Sequence, residues 1–389
     1  MRVAILYNTS WYVYLLRRNL ISRLQEAGCE VTVITPTDTY TERLKSIGCR
    51  HIPIPLEPGG TSPRVELRTF LAIARILRDV RPSAVLSFTI KCNLYAGLAK
   101  RFVPFLQVAN ISGLGSAFGG SFILRETAKR LYRVALKSTE HIFFQNRDDL
   151  HACVQAALVP PEHSIVIPGS GVDLHAFSPT PRTCGRPRTF LMFGRLIPQK
   201  GYDLYLDAAN RLRKEFGDTV AFWILGKPDY DRSESIALYH RISRAHAAGS
   251  VRYLQSTDDV RPILNEADIV VLPSTYNEGV PRSLLEALAC GKALITTDWK
   301  GCREAVDHGL NGYLVHPHSG ESLFDAMRSL SICPEGSLRA FGKASRERAE
   351  KLFDEQFVLD AYCRALGLTI QPRDCLLYTS PSPRDATLS

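Results

Sequence analysis

Two glutamates in the stretch 272–297 have the spacing of a ligand site at the start of a helix. Glu278 and Glu286 lie eight residues apart, and Gly279 and Pro281 mark the point between them where a loop becomes a helix. Proline suits a first helical turn because its missing N–H would have no partner there. The free N–H groups and partial positive charge of that helix end favour a phosphate. The two carboxylates could then accept hydrogen bonds from hydroxyl groups of the same ligand.

The sequence around these glutamates favours a site over two solvated surface charges, which would be the commoner fate of an isolated pair. The apolar run ADIVVLPS (267–274) precedes the loop and ALITT (293–297) follows the helix. Both runs are typical of buried parallel strands. Open parallel sheets bind nucleotides at the carboxyl ends of their strands, against the next helix. The two glutamates occupy such a position.

Two cations follow another apolar run earlier in the chain. Arg195 and Lys200 lie in FGRLIPQKG (193–201), a loop with a glycine near each end. An arginine can bind phosphate oxygens through two parallel hydrogen bonds, and a lysine acts as a point charge. Such residues are more often solvated surface cations. Their position after a strand, like that of the glutamate loop, predicts a diphosphate site.

The elements that must position these residues form two series of apolar runs with helical patterns between most of them. The first series is VAILY (3–7), VTVIT (31–35), HIPIP (51–55), AVLSF (84–88), FLQVA (105–109), HIFFQ (141–145) and SIVIP (164–168). The second series is TFLMFG (189–194), VAFWILG (220–226), VRYL (251–254), DIVVLP (268–273), ALITT (293–297) and GYLV (312–315). The alternation predicts two α/β units, each a doubly wound parallel sheet, with a cleft between them.

Composition sets limits on the class of protein. With 389 residues, of which 45% are hydrophobic and 22% charged, the chain suits two ordinary globular domains. The formal charge of +9 favours an anionic partner. Ten cysteines without CxxC pairs or Cys/His ligand spacing indicate a reducing compartment and argue against structural zinc. No apolar run is long enough to span a membrane, and no recognised nucleic-acid module is present, so we expect no nucleic-acid partner.

Three motifs in the second half of the chain resemble those of a known family. GRLIPQKG (194–201), ADIVVLPSTYNEGVPRSLLEALACGKALITT (267–297) and NGYLV (311–315), in this order and spacing, are similar to the GT4-type retaining glycosyltransferases. The resemblance extends over residues 1–366. It implies the GT-B fold, in which two Rossmann-like domains face a cleft.

The resemblance also implies roles for the site residues. Arg195 and Lys200 would bind the diphosphate of a nucleotide-sugar donor, and Glu278 would contact hydroxyls of the donor sugar. Glu286 would hold the ribose. The segment after the first glutamate would bring backbone groups to the phosphates, and its residues are Gly279, Val280 and Pro281.

Motifs of the first half narrow the resemblance to bacterial enzymes that add an N-acetylhexosamine or related sugar to an undecaprenyl-diphosphate-linked saccharide. These motifs are FTIKCNLYAG (88–97), NISGLGSAF (110–118), LYRVALKS (131–138), FFQNRDD (143–149) and PGSGVDLHAF (168–177). Donor and acceptor would be a UDP-sugar and a lipid-linked saccharide, met by a cytoplasmic protein at the inner leaflet of the membrane. Many relatives have a histidine near the end of the fifth strand, where this chain offers Asn110 and Ser112.

The family's domain plan gives expected boundaries. These are an acceptor-binding domain at 1–170, a connection at 171–187, a nucleotide-sugar-binding domain at 188–354 and a helix crossing back to the first domain at 355–366. Residues 375–385, CLLYTSPSPRD, resemble the translation of a sequencing adapter. We therefore expect 375–389 to lie outside the fold, with a disordered Ser/Pro-rich end as the alternative.

The expected chemistry requires neither a metal nor a bound cofactor. Negative charge grows on the leaving diphosphate, where Arg195, Lys200 and the helix N–H groups would stabilise it. In the usual retaining proposal a departing phosphate oxygen takes the acceptor proton, so the enzyme supplies no general base. The one DxD sequence, Asp229-Tyr230-Asp231, lies in a polar loop and is more typical of a turn than of a metal site.

A basic helix at about 121–138 is a candidate for contact with anionic lipid headgroups or with the acceptor diphosphate. Its expected apolar stripe is Leu124, Ala128, Leu131 and Ala135, and its expected basic face is Arg125, Lys129, Arg130, Arg133 and Lys137. The alternative is a helix packed on its own sheet with a solvated basic face. For the whole chain, a nucleotide-sugar epimerase or hydrolase and a non-catalytic nucleotide-sugar binding protein stay open as alternatives.

Overall fold

The structure is a computed structural model that describes residues 1–57, 62–113, 122–181 and 185–369, without the side chains of 122–124. The prediction for the tail at 375–389 lies outside the described residues.

The first half of the chain forms a parallel sheet. Its strands are β1 (Arg2–Leu6), β2 (Glu30–Thr35), β3 (Arg50–Pro53), β4 (Ala84–Phe88), β5 (Leu106–Ile111), β6 (His141–Phe144) and β7 (Ser164–Val166). They are ordered β3-β2-β1-β4-β5-β6-β7. The direction of chain progress therefore reverses between β1 and β4. In open α/β sheets a crevice for ligands opens at such a switch point, at the carboxyl ends of the strands.

Helices cover both faces of this sheet because successive strand side chains point to opposite sides. They are α1 (Ser10–Glu26), α2 (Thr41–Ser46), α3 (Pro63–Val80), α4 (Ile90–Ala99), α5 (Phe122–Leu136) and α6 (Arg147–Gln155). Val3 and Ile5 of β1 pack in one core cluster with α1 and α2. Ala4 and Leu6 pack in another with α3 and α4.

The second half repeats the plan. Its strands are β8 (Arg188–Phe193), β9 (Val220–Gly226), β10 (Arg252–Gln255), β11 (Ile269–Leu272), β12 (Ala293–Thr297) and β13 (Gly312–Val315). Its helices are α7 (Tyr202–Phe216), α8 (Ser233–Ala247), α9 (Arg261–Glu266), α10 (Arg282–Ala289), α11 (Gly320–Ser331) and α12 (Glu335–Arg348). The strand order β10-β9-β8-β11-β12-β13 places the switch point between β8 and β11. The loops that follow these two strands are therefore neighbours.

A last helix, α13 (Glu355–Ala365), packs on the first sheet. Its side chains Val358, Leu359 and Tyr362 lie in the same core cluster as β1 and α1. The chain also passes between the sheets near residue 172, where the Val172 N–H donates to the Phe353 carbonyl oxygen at 2.8 Å. The two crossings of the chain thus run side by side.

The expected apolar stripe of α5 was wrong at one position. Leu131 is 42% exposed, whereas the neighbouring Tyr132, Ala135 and Leu136 are buried. The stripe was drawn from aliphatic residues alone and left out Tyr132, whose ring packs with residues of β5 and β6. The part of the prediction that concerns Leu124 lies outside the described side chains.

The packing of α5 on α4 depends on a glycine and also uses part of the basic face. A Cβ added at Gly97 would lie 2.2 Å from the carbonyl oxygen of Ala135, so only glycine allows the two backbones to approach. Arg133 donates to the carbonyl oxygens of Ala156 and Ala157 at the end of α6. That arginine therefore holds two elements of the fold together.

Within the described part of the chain, the helices are too short or too polar to cross a membrane.

Candidate active site

The loops after β8 and β11 meet at the carboxyl edge of the second sheet. Lys200 ends a short 3₁₀ turn after β8, and Gly201 follows it with φ of 83°. A Cβ at Gly201 would lie 2.3 Å from the carbonyl oxygen of Pro273, which follows β11. Glycine is therefore required by both the backbone angle and the close approach. This contact fixes the distance between the two predicted parts of the site.

Lys200 and Glu278 form a buried ion pair across these loops. The Lys200 ammonium lies 3.0 Å from Oε1 and 3.1 Å from Oε2 of Glu278. Ser274 donates a further hydrogen bond to Oε1 at 3.3 Å. Lys200 is only 6% exposed, so removal of its partner would leave an uncompensated charge in a poorly solvated place. The structure therefore brings together two residues that are 78 positions apart in the chain.

Arg195 adds a second cation at the same edge and stays exposed. Its guanidinium carbon lies 5.4 Å from the centroid of the Tyr276 ring, within the range of a cation–π contact. Because Lys200 and Glu278 neutralise each other, Arg195 leaves an excess of one positive charge. The edge can therefore accept an anion without further rearrangement of charge.

The peptide between Glu278 and Gly279 is enclosed by both domains. The Gly279 N–H donates to the carbonyl oxygen of Ser112 in the first domain at 3.0 Å. A Cβ at Gly113 would lie 2.6 Å from the Glu278 Cα, and one at Gly301 would lie 1.9 Å from the Gly279 carbonyl oxygen. The position of this predicted site peptide therefore depends on the closed arrangement of the two domains.

Helix α10 starts directly after this peptide. Val280 is buried and Pro281 is the residue preceding the helix, which begins at Arg282. Glu286 pairs with Arg282 one turn earlier, at 2.9 Å, and Arg282 also donates to the carbonyl oxygen of Gly171. Burial raises the pKa of the Glu286 carboxyl, and the Arg282 charge opposes that shift. Glu286 thus lies on the same helix end but belongs to a separate ion pair.

The first domain contributes one residue that the sequence analysis had not singled out, Gln145, and two that it had, Asn110 and Ser112. Gln145, buried directly after β6, places its side-chain oxygen 2.1 Å from where a Cβ at Gly279 would lie. Its position after an apolar run was the signal that could have identified it. Asn110 donates a side-chain hydrogen bond to Tyr362 of α13, and the Ser112 carbonyl accepts from Gly279.

Ion pairs join the domains beside the site. Asp149 is completely buried and lies 2.9 Å from the Lys300 ammonium of the second domain. On another side, Arg43 lies 2.9 Å from Asp258, with both side chains about half exposed. Each pair joins residues more than 150 positions apart, so no local pattern could predict them.

The Asp229-Tyr230-Asp231 sequence forms a local turn. Asp229 pairs with Arg232 three residues later at 3.2 Å, and the Asp231 N–H donates back to Asp229 at 3.3 Å. Among the described residues, no three or more histidine, cysteine, aspartate or glutamate side chains are placed to hold a metal ion. Metal independence stays a prediction.

Two family models match the chain without overlap. Residues 187–331 match glycosyl transferases group 1, and residues 2–146 match glycosyl transferase 4-like. Together the matches span about three quarters of the chain.

Curated relatives include two bacterial enzymes. The N,N'-diacetylbacillosaminyl-diphospho-undecaprenol alpha-1,3-N-acetylgalactosaminyltransferase of Campylobacter jejuni is 27% identical over 95% of this chain and 100% of its own length. The UDP-Gal:alpha-D-GlcNAc-diphosphoundecaprenol alpha-1,3-galactosyltransferase of Escherichia coli is 25% identical over 67% of this chain and 70% of its own.

Solved structures share the architecture. HepE of Anabaena, in complex with UDP and glucose, superposes with a TM-score of 0.78 at 18% identity, over 95% of this chain and 100% of its own. Sucrose-phosphate synthase of Thermosynechococcus elongatus gives 0.76 at 17% identity, over 95% and 100%. The predicted fold class, GT-B with two parallel-sheet domains, is confirmed.

Proposed function

Because the chain belongs to the group 1, GT4-like glycosyltransferases, we propose that it moves a sugar from a nucleotide-sugar to a lipid-diphosphate-linked saccharide. The observation that carries the proposal is the buried Lys200–Glu278 pair beside the exposed Arg195, at the carboxyl ends of β8 and β11. This edge has an excess positive charge for a diphosphate and a fixed carboxylate for sugar hydroxyls. Arg195, Lys200 and Glu278 are the proposed catalytic residues.

In the proposed reaction the bond between the anomeric carbon and the phosphate oxygen breaks, and negative charge grows on the leaving diphosphate. Arg195, Lys200 and the first-turn N–H groups of α10 stabilise that charge as it forms. Glu278 accepts hydrogen bonds from the donor sugar. The Gly279 N–H donates to Ser112 in the closed arrangement, so it reaches a phosphate only when that contact opens.

The nucleotide is assigned to the start of α10. Glu286 accepts hydrogen bonds from the ribose hydroxyls, and these are strongest when the carboxyl is ionised. Arg282 favours the ionised form because its charge opposes the effect of burial on the pKa of Glu286. Val280 and Pro281 hold the chain between Glu278 and the helix, so that ribose and sugar meet carboxylates on either side of the phosphates.

We assign the transfer to the retaining class. The acceptor hydroxyl attacks from the face that the phosphate leaves, and a departing phosphate oxygen takes the acceptor proton. The new bond joins the acceptor oxygen to the anomeric carbon, and the released diphosphate carries the proton. In this scheme the protein supplies neither a general base nor a covalent nucleophile, and no metal ion or bound cofactor is needed.

The names of the relatives support the substrate classes. One is an N-acetylgalactosaminyltransferase whose acceptor is a diphospho-undecaprenol saccharide, and the other is named for UDP-Gal and a diphosphoundecaprenol acceptor. We therefore propose a UDP-sugar donor, an N-acetylhexosamine or related sugar, and an undecaprenyl-diphosphate saccharide in bacterial polysaccharide or glycan assembly.

Such an acceptor places the protein at the inner leaflet of the cytoplasmic membrane, as a peripheral protein. The helix at 121–138 is the proposed contact, because Leu131 and Val134 are exposed beside the exposed cations Arg130 and Lys137. Apolar side chains that enter the interface and cations that meet anionic headgroups are the two ingredients of interfacial binding.

The experiment that tests this function is a transfer assay with a panel of UDP- and GDP-sugars in EDTA, with and without an undecaprenyl-diphosphate saccharide. We expect a lipid-linked product from a UDP-sugar only when the lipid-linked acceptor is present. Free sugar or an epimerised donor formed equally well without acceptor would instead indicate a hydrolase or epimerase. Donor binding without turnover on any acceptor of the panel would indicate a binding protein.

A further inference from the structure

Arg17 of the first domain is a buried cation that has no anionic partner among the described residues. It lies on the inner face of α1 and is 4% exposed. Within the ranges that the structure describes, its Nε has no hydrogen-bond partner and the side chain forms no ion pair. A buried charge is costly unless it is paired and hydrogen-bonded. Among the described residues, the fold therefore keeps a buried charge that a ligand could pair with.

The surroundings of Arg17 are aromatic. Its guanidinium carbon lies 4.5 Å from the centroid of the Phe88 ring. Tyr7 stacks on Phe88 with centroids 5.2 Å apart, and Tyr362 of α13 lies 6.0 Å from it. Burial raises the pKa of the Tyr7 phenol above its usual value, so Tyr7 stays neutral and does not compensate the arginine. Cation–π contact stabilises the guanidinium only in part.

The location of Arg17 is the carboxyl edge of the first sheet. Phe88 is the last residue of β4, and Tyr7 directly follows β1, the two strands at the switch point. Helix α1 begins at this edge, and helical side chains lean towards the N-terminus of their helix. The guanidinium is therefore directed towards the crevice where open α/β sheets bind ligands.

Two amide oxygens at the same edge also lack partners. Among the described residues, Oδ1 of Asn8 and Oδ1 of Asn110 are buried without a hydrogen bond. Asn110 is the register partner of Phe88 across β4 and β5, and Asn8 follows Tyr7. In the part of the chain that the structure describes, the edge thus offers a guanidinium whose Nε lacks an acceptor and two amide oxygens that lack donors. A ligand with both anionic oxygens and hydroxyl groups, such as a sugar phosphate, would satisfy both.

We propose that Arg17 binds the phosphate next to the acceptor saccharide. Asn8 and Asn110 then accept hydrogen bonds from the hydroxyl groups of that saccharide. This inference rests on the proposed function and adds an acceptor subsite to it. The donor diphosphate is assigned to Arg195 and Lys200 of the other domain. The phosphate at Arg17 therefore belongs to the acceptor.

The test compares Arg17→Met with Arg18→Met. Arg18 is the next residue of α1 but is exposed, which makes it a matched control. We expect Arg17→Met to raise the KM for the diphosphate-linked acceptor about tenfold to a hundredfold, the range for one hydrogen bond to a charged group. The KM for the donor should be unchanged in Arg17→Met, and both KM values should be unchanged in Arg18→Met. Arg17→Lys should recover part of the lost acceptor affinity. A rise in the donor KM instead would assign the arginine to the donor phosphate and overturn the proposal.

A neutral acceptor separates phosphate binding from a structural effect. Wild type and Arg17→Met should transfer equally well to an alkyl glycoside of the same saccharide that has no phosphate. Because the variant removes an unpaired buried charge, its melting temperature without ligand should be no lower than that of Arg18→Met. Equal losses on both acceptors, or a much lower melting temperature, would make Arg17 a structural residue.

Calorimetry with inorganic pyrophosphate tests the subsite without turnover. With UDP at saturating concentration, we expect wild type and Arg18→Met to bind pyrophosphate and Arg17→Met to bind it at least about tenfold more weakly. Equal binding by all three proteins would overturn the subsite. If wild type transfers no sugar, the proposed function fails, while the difference between the variants still decides the role of Arg17.

Discussion

The two sheet edges that meet at the cleft differ in how their charged side chains are paired. In the second domain, Lys200 pairs with Glu278 and Glu286 pairs with Arg282. In the first domain, Arg17 is buried without a carboxylate partner among the described residues. A site whose charges compensate one another keeps its shape when empty, whereas an unpaired charge gains most when a ligand arrives. We infer that the donor edge is preformed and that the acceptor edge is completed by its ligand.

The largest effect is expected when the ion pair between Lys200 and Glu278 is removed. Lys200→Ala removes a proposed phosphate contact and leaves Glu278 without its cation, so transfer should fall about a hundredfold to a thousandfold. The free energy of unfolding should fall by about 3 kcal/mol, as for other broken buried pairs. Steady-state kinetics and urea unfolding measure the two effects. The control is Lys343→Ala, whose side chain is 81% exposed and which should change neither. Transfer at the wild-type rate by Lys200→Ala would contradict the assignment of the donor diphosphate to this edge.

A smaller effect tests whether the enclosed peptide at Glu278 and Gly279 must keep its position. Gly301→Ala would place a Cβ 1.9 Å from the Gly279 carbonyl oxygen, and we expect about a tenfold to hundredfold loss of turnover. Gly309 has a similar φ, +81° against +77°, but open space around it, so Gly309→Ala isolates the backbone strain. Both variants should lose about 1 kcal/mol of stability from that strain. Equal turnover of the two variants would show that the close packing has no role in the reaction.

The interdomain pairs give the next effect. Lys300→Ala leaves the fully buried Asp149 without its cation, so unfolding should become easier by about 3 kcal/mol and turnover should fall about tenfold. Arg43→Ala removes an exposed pair with Asp258, and solvent screening should leave stability and turnover unchanged. Thermal unfolding and kinetics of both variants check this. Equal losses of stability and turnover in Lys300→Ala and Arg43→Ala would mean that burial of the ion pair does not matter for domain closure.

The smallest effect concerns pH. Burial raises the pKa of Glu286, so the folded state holds that proton more tightly than the unfolded chain. Its contribution to stability is therefore greatest below the unfolded pKa and is lost as the pH rises through the folded pKa. Nucleotide binding should show the opposite trend, because the ionised carboxylate accepts stronger hydrogen bonds from the two ribose hydroxyls than the protonated form does. Calorimetry of UDP binding should show affinity falling a fewfold as the pH drops through that raised pKa, and Glu286→Gln should remove the dependence. A pH dependence that persists in Glu286→Gln would belong to another group.

The sequence predicted the second domain's edge better than the first, and the reason is physical. Lys200 and Glu278 lie in loops directly after apolar runs, and parallel strands bring such loops together, so pattern predicted that the two loops meet. The 3.0 Å pair between the two side chains was not predicted. The apolar runs also became strands in both sheets. The local sequence pattern was therefore sufficient to predict which loops lie together at the ends of neighbouring strands.

Other features depend on parts of the chain that are far apart. Arg17 was not separated from Arg18 by the sequence analysis, and in the packed structure α1 buries the first and exposes the second. Tyr132 replaced Leu131 on the buried face of α5 because ring packing on β5 and β6 outweighed the aliphatic pattern. The Asp149–Lys300 pair joins residues 151 positions apart, for which no local signal exists.

Nuclear magnetic resonance of the lipid-linked product, formed from a UDP-sugar and an undecaprenyl-diphosphate saccharide, tests the proposed transfer most directly. We expect one new glycosidic bond with the same anomeric configuration as the donor, and none with Lys200→Ala. A bond of inverted configuration would contradict the retaining assignment. Free sugar without a new bond would contradict glycosyl transfer itself.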